Sequence, residues 1–307
     1  MKKTTILYFV LFLAALVAPH AGVYPVFLMK CLCFALFACA FNLLLGYTGL
    51  LSFGHAAFLG MAGYIAGHTI KVMAFPPELG ILAGTAVAAL LGLGFGWLAI
   101  RRQGIYFAMI TLALSQLVYF FCVQAKWTGA EDGLQGVPRG RLFGLINLEN
   151  PDAMYYTVLA IFVFGFWLIH RTIHSPFGQV LKSIRENEPR AISLGYDVDK
   201  YKLVAFVLSA ALSGLAGATK TVVFQLASLT DVYWHTSGEV VLMTLLGGMG
   251  TILGPVVGAF TIVGLQNYLA GFGSWVTVIT GTIFVVCVLA FRRGIVGEIQ
   301  ALFKRPS

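Results

Sequence analysis

RTIHSPFGQVLKSIRENEPRAISLGYDVDKYK, residues 171–202, is the one long polar stretch in an otherwise apolar chain of 307 residues. It holds six of the 20 Lys+Arg and four of the 12 Asp+Glu, and it separates two strongly apolar halves. A lipid-embedded chain keeps such a segment ordered only if something on one side of the membrane reads it.

Outward from this segment the composition excludes a soluble domain. Hydrophobic residues make up 59% of the chain and charged residues 10%, against about 25% charged in ordinary globular proteins. The 35 glycines fit close helix contact in lipid. The net charge of +8 is not a nucleic-acid signal, because the basic residues flank apolar runs instead of forming a face interleaved with aromatics. Cys31, Cys33, Cys39, Cys122 and Cys287 all sit inside apolar runs and lack metal-ligand spacing, so they read as small buried hydrophobes. His170 and His174 have an i, i+4 spacing but no third ligand, and no metal site is expected. No catalytic constellation is visible.

Apolar runs that suit membrane helices lie near 5–19, 24–45, 50–70, 79–100, 104–124, 154–170, 203–225, 237–250, 252–271 and 272–291. Lys2 and Lys3 followed by an apolar run resemble a secretory leader, but Pro19 and Ala21 make a poor cleavage site, and a retained first helix is expected. With the N-terminus inside, the cytoplasmic segments collect 14 of 20 basic residues: Lys2, Lys3, Arg101, Arg102, the six of 171–202, Arg292, Arg293, Lys304 and Arg305. That bias is what membrane insertion favours. The expected fold is therefore an all-α membrane protein of about ten transmembrane helices with both termini cytoplasmic. Ten divides into two inverted five-helix repeats, about 1–125 and 154–291, joined by an outer loop at 126–153 and followed by a cytoplasmic tail at 292–307. The third run of each half is Gly-rich and interrupted, a pointer to a translocation path. Lys30 and Lys220 are expected to snorkel to the outer interface.

Within 171–202, Ser175-Pro176 is a helix start, and Phe177, Val180, Leu181 and Ile184 form one apolar face. Pro189 interrupts that helix and opens another, with Ala191, Ile192 and Leu194 apolar and Gly195 as a stop. The polar face mixes signs (Arg185, Glu186, Glu188, Arg190), which suits a protein partner better than anionic lipid. Polar residues in or near the spans are the candidates for a path: Asn42, Ser52, His55, Thr111, Ser115, Gln116, Glu239 and Thr244, with Gln266 and Asn267 beside them. Each could equally serve helix–helix hydrogen bonding. A secondary transporter would ordinarily carry coupling carboxylates in its spans, and only Glu239 presents itself.

Four stretches together resemble one family, the ABC-importer permeases of the branched-chain amino acid type. Arg185, Glu186, Asn187, Glu188, Ala191, Gly195 and Lys202 fit the coupling-loop pattern RENExxAxxxGxxxxxxK. NLLLGYTGLLSFGHAAFLGMAGY (Asn42–Tyr64), TGAEDGLQGVP (Thr128–Pro138) and LLGGMGTILGPVVGA (Leu245–Ala259) resemble its other signatures in the same order. Ala130 and Glu131 depart from the Gly-Ser pair usual in the outer loop. The resemblance implies a subunit of a bacterial inner-membrane importer that takes up branched-chain amino acids, or urea and short amides in close relatives. It implies a second, similar permease, two cytoplasmic ATPase subunits docked on the coupling segment through Arg185, Glu186, Asn187, Glu188, Arg190, Ala191 and Gly195, and a periplasmic or lipoprotein binding protein. ATP and Mg would belong to the ATPases: no G-x-x-x-x-G-K-[ST] phosphate loop occurs in this sequence.

Overall fold

Helix Pro25–Thr48 (α1) has no polar face to turn toward water or any charged residue beyond Lys30, and the fold puts it at the centre. The computed structural model describes residues 10, 12–22, 24–273, 275–290 and 294–298. Lys2, Lys3, Arg292, Arg293, Lys304 and Arg305, and residues 5–9 and 11 of the first apolar run, lie outside them. In its most apolar window α1 is 89% buried.

Around it follow His55–Lys71 (α2), Pro77–Ala99 (α3), Ile105–Gln124 (α4) and Pro151–Ile173 (α5). The polar stretch folds as Pro176–Glu186 (α6) and Glu188–Ser193 (α7), and Val198–Phe224 (α8) then re-enters the bundle. Leu229–Val232 (α9), Trp234–Gly247 (α10), Gly254–Leu269 (α11) and Trp275–Ala290 (α12) complete the chain. Helices α1, α3, α4, α5 and α8 are long and apolar enough to cross a membrane. The chain is therefore a multi-pass helical membrane protein. The interrupted runs come out shorter: α2 has 17 residues and follows the non-helical stretch 49–54, and α10 has 14 and is followed by the non-helical stretch 248–253.

Helix α8 is the second buried axis, and the bundle is organised around α1 and α8 side by side. Helices α2 and α3 pack on each other and on α8, whereas α10 and α11 pack on each other and on α1. Small residues permit this closeness. At Gly217 of α8 an added Cβ would run into the carbonyl of Leu59 in α2, so only glycine allows that crossing. By contrast α4 is 28% buried, and Ile105, Met109, Leu117 and Phe120 face outward.

At the end of the bundle away from the polar stretch, residues 125–150 form an irregular cap. Its strand Leu134–Gln135 (β1) pairs antiparallel with Leu226–Ala227 (β4), and Arg141–Leu142 (β2) pairs with Ile146–Asn147 (β3). Arg139 donates to the Val223 carbonyl (2.8 Å) and Lys71 to the Gln135 carbonyl (2.6 Å), tying the cap to α8 and α2.

Candidate functional site

The polar segment folds into a helical hairpin, and each turn of it has a local cause. Ser175 caps α6, accepting the Gly178 N–H (3.3 Å) ahead of Pro176. The break comes at Asn187, whose extended backbone ends α6 and whose Oδ1 accepts the Arg190 N–H (3.1 Å) to start α7. Gly195, with φ +88°, closes α7 in the left-handed conformation, letting the Tyr196 N–H reach the Ala191 carbonyl.

Leu181 and Ile184 turn into the bundle, and Ile184 clusters with Ala191 and Val198. Glu188 anchors the second helix. Its Oε1 accepts from Lys202 Nζ (2.6 Å) and from Gln103 Nε2 (2.9 Å), joining the hairpin to α8 and to the α3–α4 turn. Lys202 is 2% exposed, and this carboxylate is what makes its burial tolerable. Ile192 (57% exposed) and Leu194 (66%) face away from the bundle, together with Glu186 and Arg190. Ile192 and Leu194 are thus two large aliphatic side chains left exposed among charges.

Of the polar residues expected along a path, Asn42, His55, Thr111 and Glu239 are held in bonds between segments. Asn42 bridges to the turn after α10 through Gly250 N (3.0 Å) and the Thr251 carbonyl (2.9 Å). Ser52 accepts the Gly54 N–H, and Thr111 accepts the Phe53 N–H (3.1 Å), so both stabilise the break before α2. His55 is fully buried, packed edge-on against Phe41, Phe58 and Phe206. Its Nε2 lies 2.9 Å from Ser209 Oγ, and Ser209 Oγ is 2.6 Å from the Ala40 carbonyl. The serine has one proton and gives it to that carbonyl, so His55 carries its proton on Nε2 and donates. Ser115 Oγ is buried with no partner among the described residues, and Gln116 is half-buried on the same helix. Glu239 accepts from Gln266 Nε2 (2.9 Å), Thr244 bonds back to the Val240 carbonyl, and Asn267 is exposed.

A cleft of about 440 Å³ opens between the break at 49–53 and the start of α4, lined by Leu50, Leu51, Phe53, Ile105, Phe107 and Leu112 among others. Ser52 and Thr111 lie in the two segments that bound it; Asn42, Glu239 and Thr244 do not.

Among the ion pairs that sequence reasoning did not foresee, one overturns an expectation. Lys220 of α8 does not reach out to an interface; it pairs with Asp231 of α9, and its ammonium lies against the Phe34 and Phe224 rings. The signal was present: Asp231 is a lone acid in an apolar neighbourhood eleven residues after a lone lysine. Among the described residues no group of His, Cys, Asp and Glu could hold a metal ion.

Residues 26–289 match the family model described as "Branched-chain amino acid transport system / permease component". The chain is 25% identical over 294 residues to the high-affinity branched-chain amino acid transport system permease protein LivM of Salmonella typhimurium, covering 87% of this chain and 68% of that one. It is 29% identical over 202 residues to the autoinducer 2 import system permease protein LsrC of Klebsiella pneumoniae (61% and 54%). It is 32% identical over 173 residues to the ribose import permease protein RbsC of Bacillus subtilis (54% and 51%). The chain thus spans between half and about two thirds of these relatives' lengths. No solved structure matches it. With the family model covering most of the chain, this protein belongs to the permease components of the branched-chain amino acid transport family.

Proposed function

We propose that this chain is the membrane-spanning subunit of an ATP-driven importer in a bacterial inner membrane, and that it moves branched-chain amino acids. The single observation that carries the first part is the hairpin. It is braced rigidly to α1, α3–α4 and α8 on one side and presents Ile192 and Leu194 on the other, as a lever docked by ATPase subunits should. A second permease would complete the path, and a binding protein would deliver solute at the opposite end.

The way contacts sort by end supports ten crossings in two inverted repeats. Arg185 meets Gly46 and Gly250, and Glu188 meets Gln103, all at segment ends assigned to the cytoplasm. Arg139–Val223, Lys71–Gln135 and the β1–β4 pair join only ends assigned to the outside. The exchange of α2–α3 onto α8 and of α10–α11 onto α1 is the packing that two related halves of opposite orientation produce. Both termini then lie in the cytoplasm.

The substrate reading rests on the LivM likeness and on the aliphatic and aromatic lining of the cleft beside Ser52 and Thr111, which suits an aliphatic side chain better than urea, an amide or a sugar. The test is uptake into proteoliposomes holding this chain with its partner permease, ATPases and binding protein. Leucine should accumulate only with ATP supplied on the hairpin side, and excess isoleucine or valine should compete, while urea and ribose should not. Uptake driven by a proton or sodium gradient without ATP would overturn the importer reading; ATP-driven uptake of urea or ribose in place of leucine would overturn only the substrate.

A further inference from the structure

Helix α10 ends at Gly247, and the chain turns through Gly248 (φ +122°) and Gly250 (φ +78°) before α11 begins at Gly254. Such a turn inside the bundle leaves backbone groups without helical partners, and they must be satisfied by protein. Asn42, buried on α1, satisfies one donor and one acceptor at once through Gly250 N and the Thr251 carbonyl. One turn further along, Gly46 brings the backbone of α1 against the same turn: a Cβ there would collide with Asn42 Oδ1 and come 2.8 Å from Gly250 N. The Gly46 carbonyl in turn accepts a hydrogen bond from Arg185 Nη1 of the hairpin. Added Cβ atoms at Gly49 and Gly250 would both meet the Arg185 side chain, at 3.3 and 3.2 Å.

We infer that Arg185 and Asn42 form a joint in series, through which movement of the hairpin reaches both halves of the bundle. Arg185 hydrogen-bonds the end of α1 in the first half and only abuts the turn at Gly250, with no hydrogen bond to it among the described residues. Asn42 passes that displacement to the turn between α10 and α11 in the second half. Two bonds from one carboxamide fix the position and the orientation of that turn, so it follows α1 rather than sliding past it. Beside it the Lys182 ammonium rests over the Tyr47 ring (5.8 Å), a contact that tolerates slip. Asn42 is thereby a positioning residue for transport, not part of the path. This role rests on the ATP-driven reading proposed above.

The experiment uses the complete complex in proteoliposomes with leucine, measuring uptake and phosphate release in the same sample. Asn42→Leu should lower leucine moved per ATP hydrolysed on the order of tenfold, the effect of losing two buried hydrogen bonds, with the KM for leucine unchanged. Asn42→Asp keeps the acceptor for Gly250 N and loses the donor, and its ratio should fall between wild type and Asn42→Leu. Arg185→Met should lower the ratio, and Arg185→Lys should restore more than half of it. Because the two act in series, the Asn42→Leu/Arg185→Met pair should be no worse than the poorer single variant. A shifted KM at constant ratio would place Asn42 in the path and overturn the joint, as would multiplied losses in the double variant. A wild-type complex without ATP-dependent uptake would overturn the importer reading itself, an outcome visible before any variant is compared.

Discussion

Two lysines of α8 sit at opposite ends of the bundle, and each is tolerable only because a carboxylate reaches it. Lys202 meets Glu188 near the hairpin, and Lys220 meets Asp231 near the cap. Removing one member of a largely buried pair costs about 3–5 kcal/mol, more than the pair contributes relative to an apolar replacement, because the remaining charge loses its partner and stays desolvated. Asp231→Leu is therefore expected to lower the unfolding midpoint of the purified protein in detergent by several degrees. Lys220→Met in the same chain should recover more than half of that loss. Thermal unfolding of the single and double variants checks this; a double variant no more stable than Asp231→Leu would mean that the acid, not the pair, matters. Lys220 and Asp231 were each legible in the sequence as lone charges, and their pairing was not, since it required α9 to fold back on α8.

At the scale of elements, α6 and α7 show how far periodicity reaches. The apolar positions Leu181 and Ile184, the Ser175-Pro176 start and the Gly195 stop all act as the sequence predicts, because capping and helical facing are local properties. In α7, however, only Ala191 turns inward, while Ile192 and Leu194 face out. A helix of six residues presents its apolar side chains on more than one side, and what covers each is decided by neighbours. If that outward pair receives the ATPase, Ile192→Asp should abolish co-purification of the ATPase subunits, while this chain still reaches the membrane and keeps its unfolding midpoint within about 1 °C, as surface substitutions usually do. Retention of the ATPase at wild-type stoichiometry would sink the docking surface.

For the whole molecule the decisive quantity is which ends face which side. Leu145 is 87% exposed at the tip of the β2–β3 hairpin, and Ile192 lies on the opposite end of the bundle. With Cys287 replaced to lower the background, Leu145→Cys should be labelled by a membrane-impermeant maleimide in intact cells, and Ile192→Cys only after the membrane is opened. Labelling of both from the same side would break the ten-crossing topology. Cys31, Cys33, Cys39 and Cys122 are buried and should not compete for the reagent.

The sequence by itself determined that this is a helical membrane protein, where its long apolar helices run, and where a polar helical hairpin interrupts them. It also carried the motifs of the family, in order. These are properties of composition, period and local capping, which need no knowledge of what lies far along the chain. The tertiary structure alone decided what the polar residues do. Asn42 and Arg185 meet residues 250 and 46, His55 meets Ser209, and Lys220 meets Asp231, because α1 and α8 lie side by side and draw each half of the bundle onto the other's axis. A polar side chain at membrane depth must find a partner or a water-filled space. Which of the two it finds depends on a neighbour that only folding supplies.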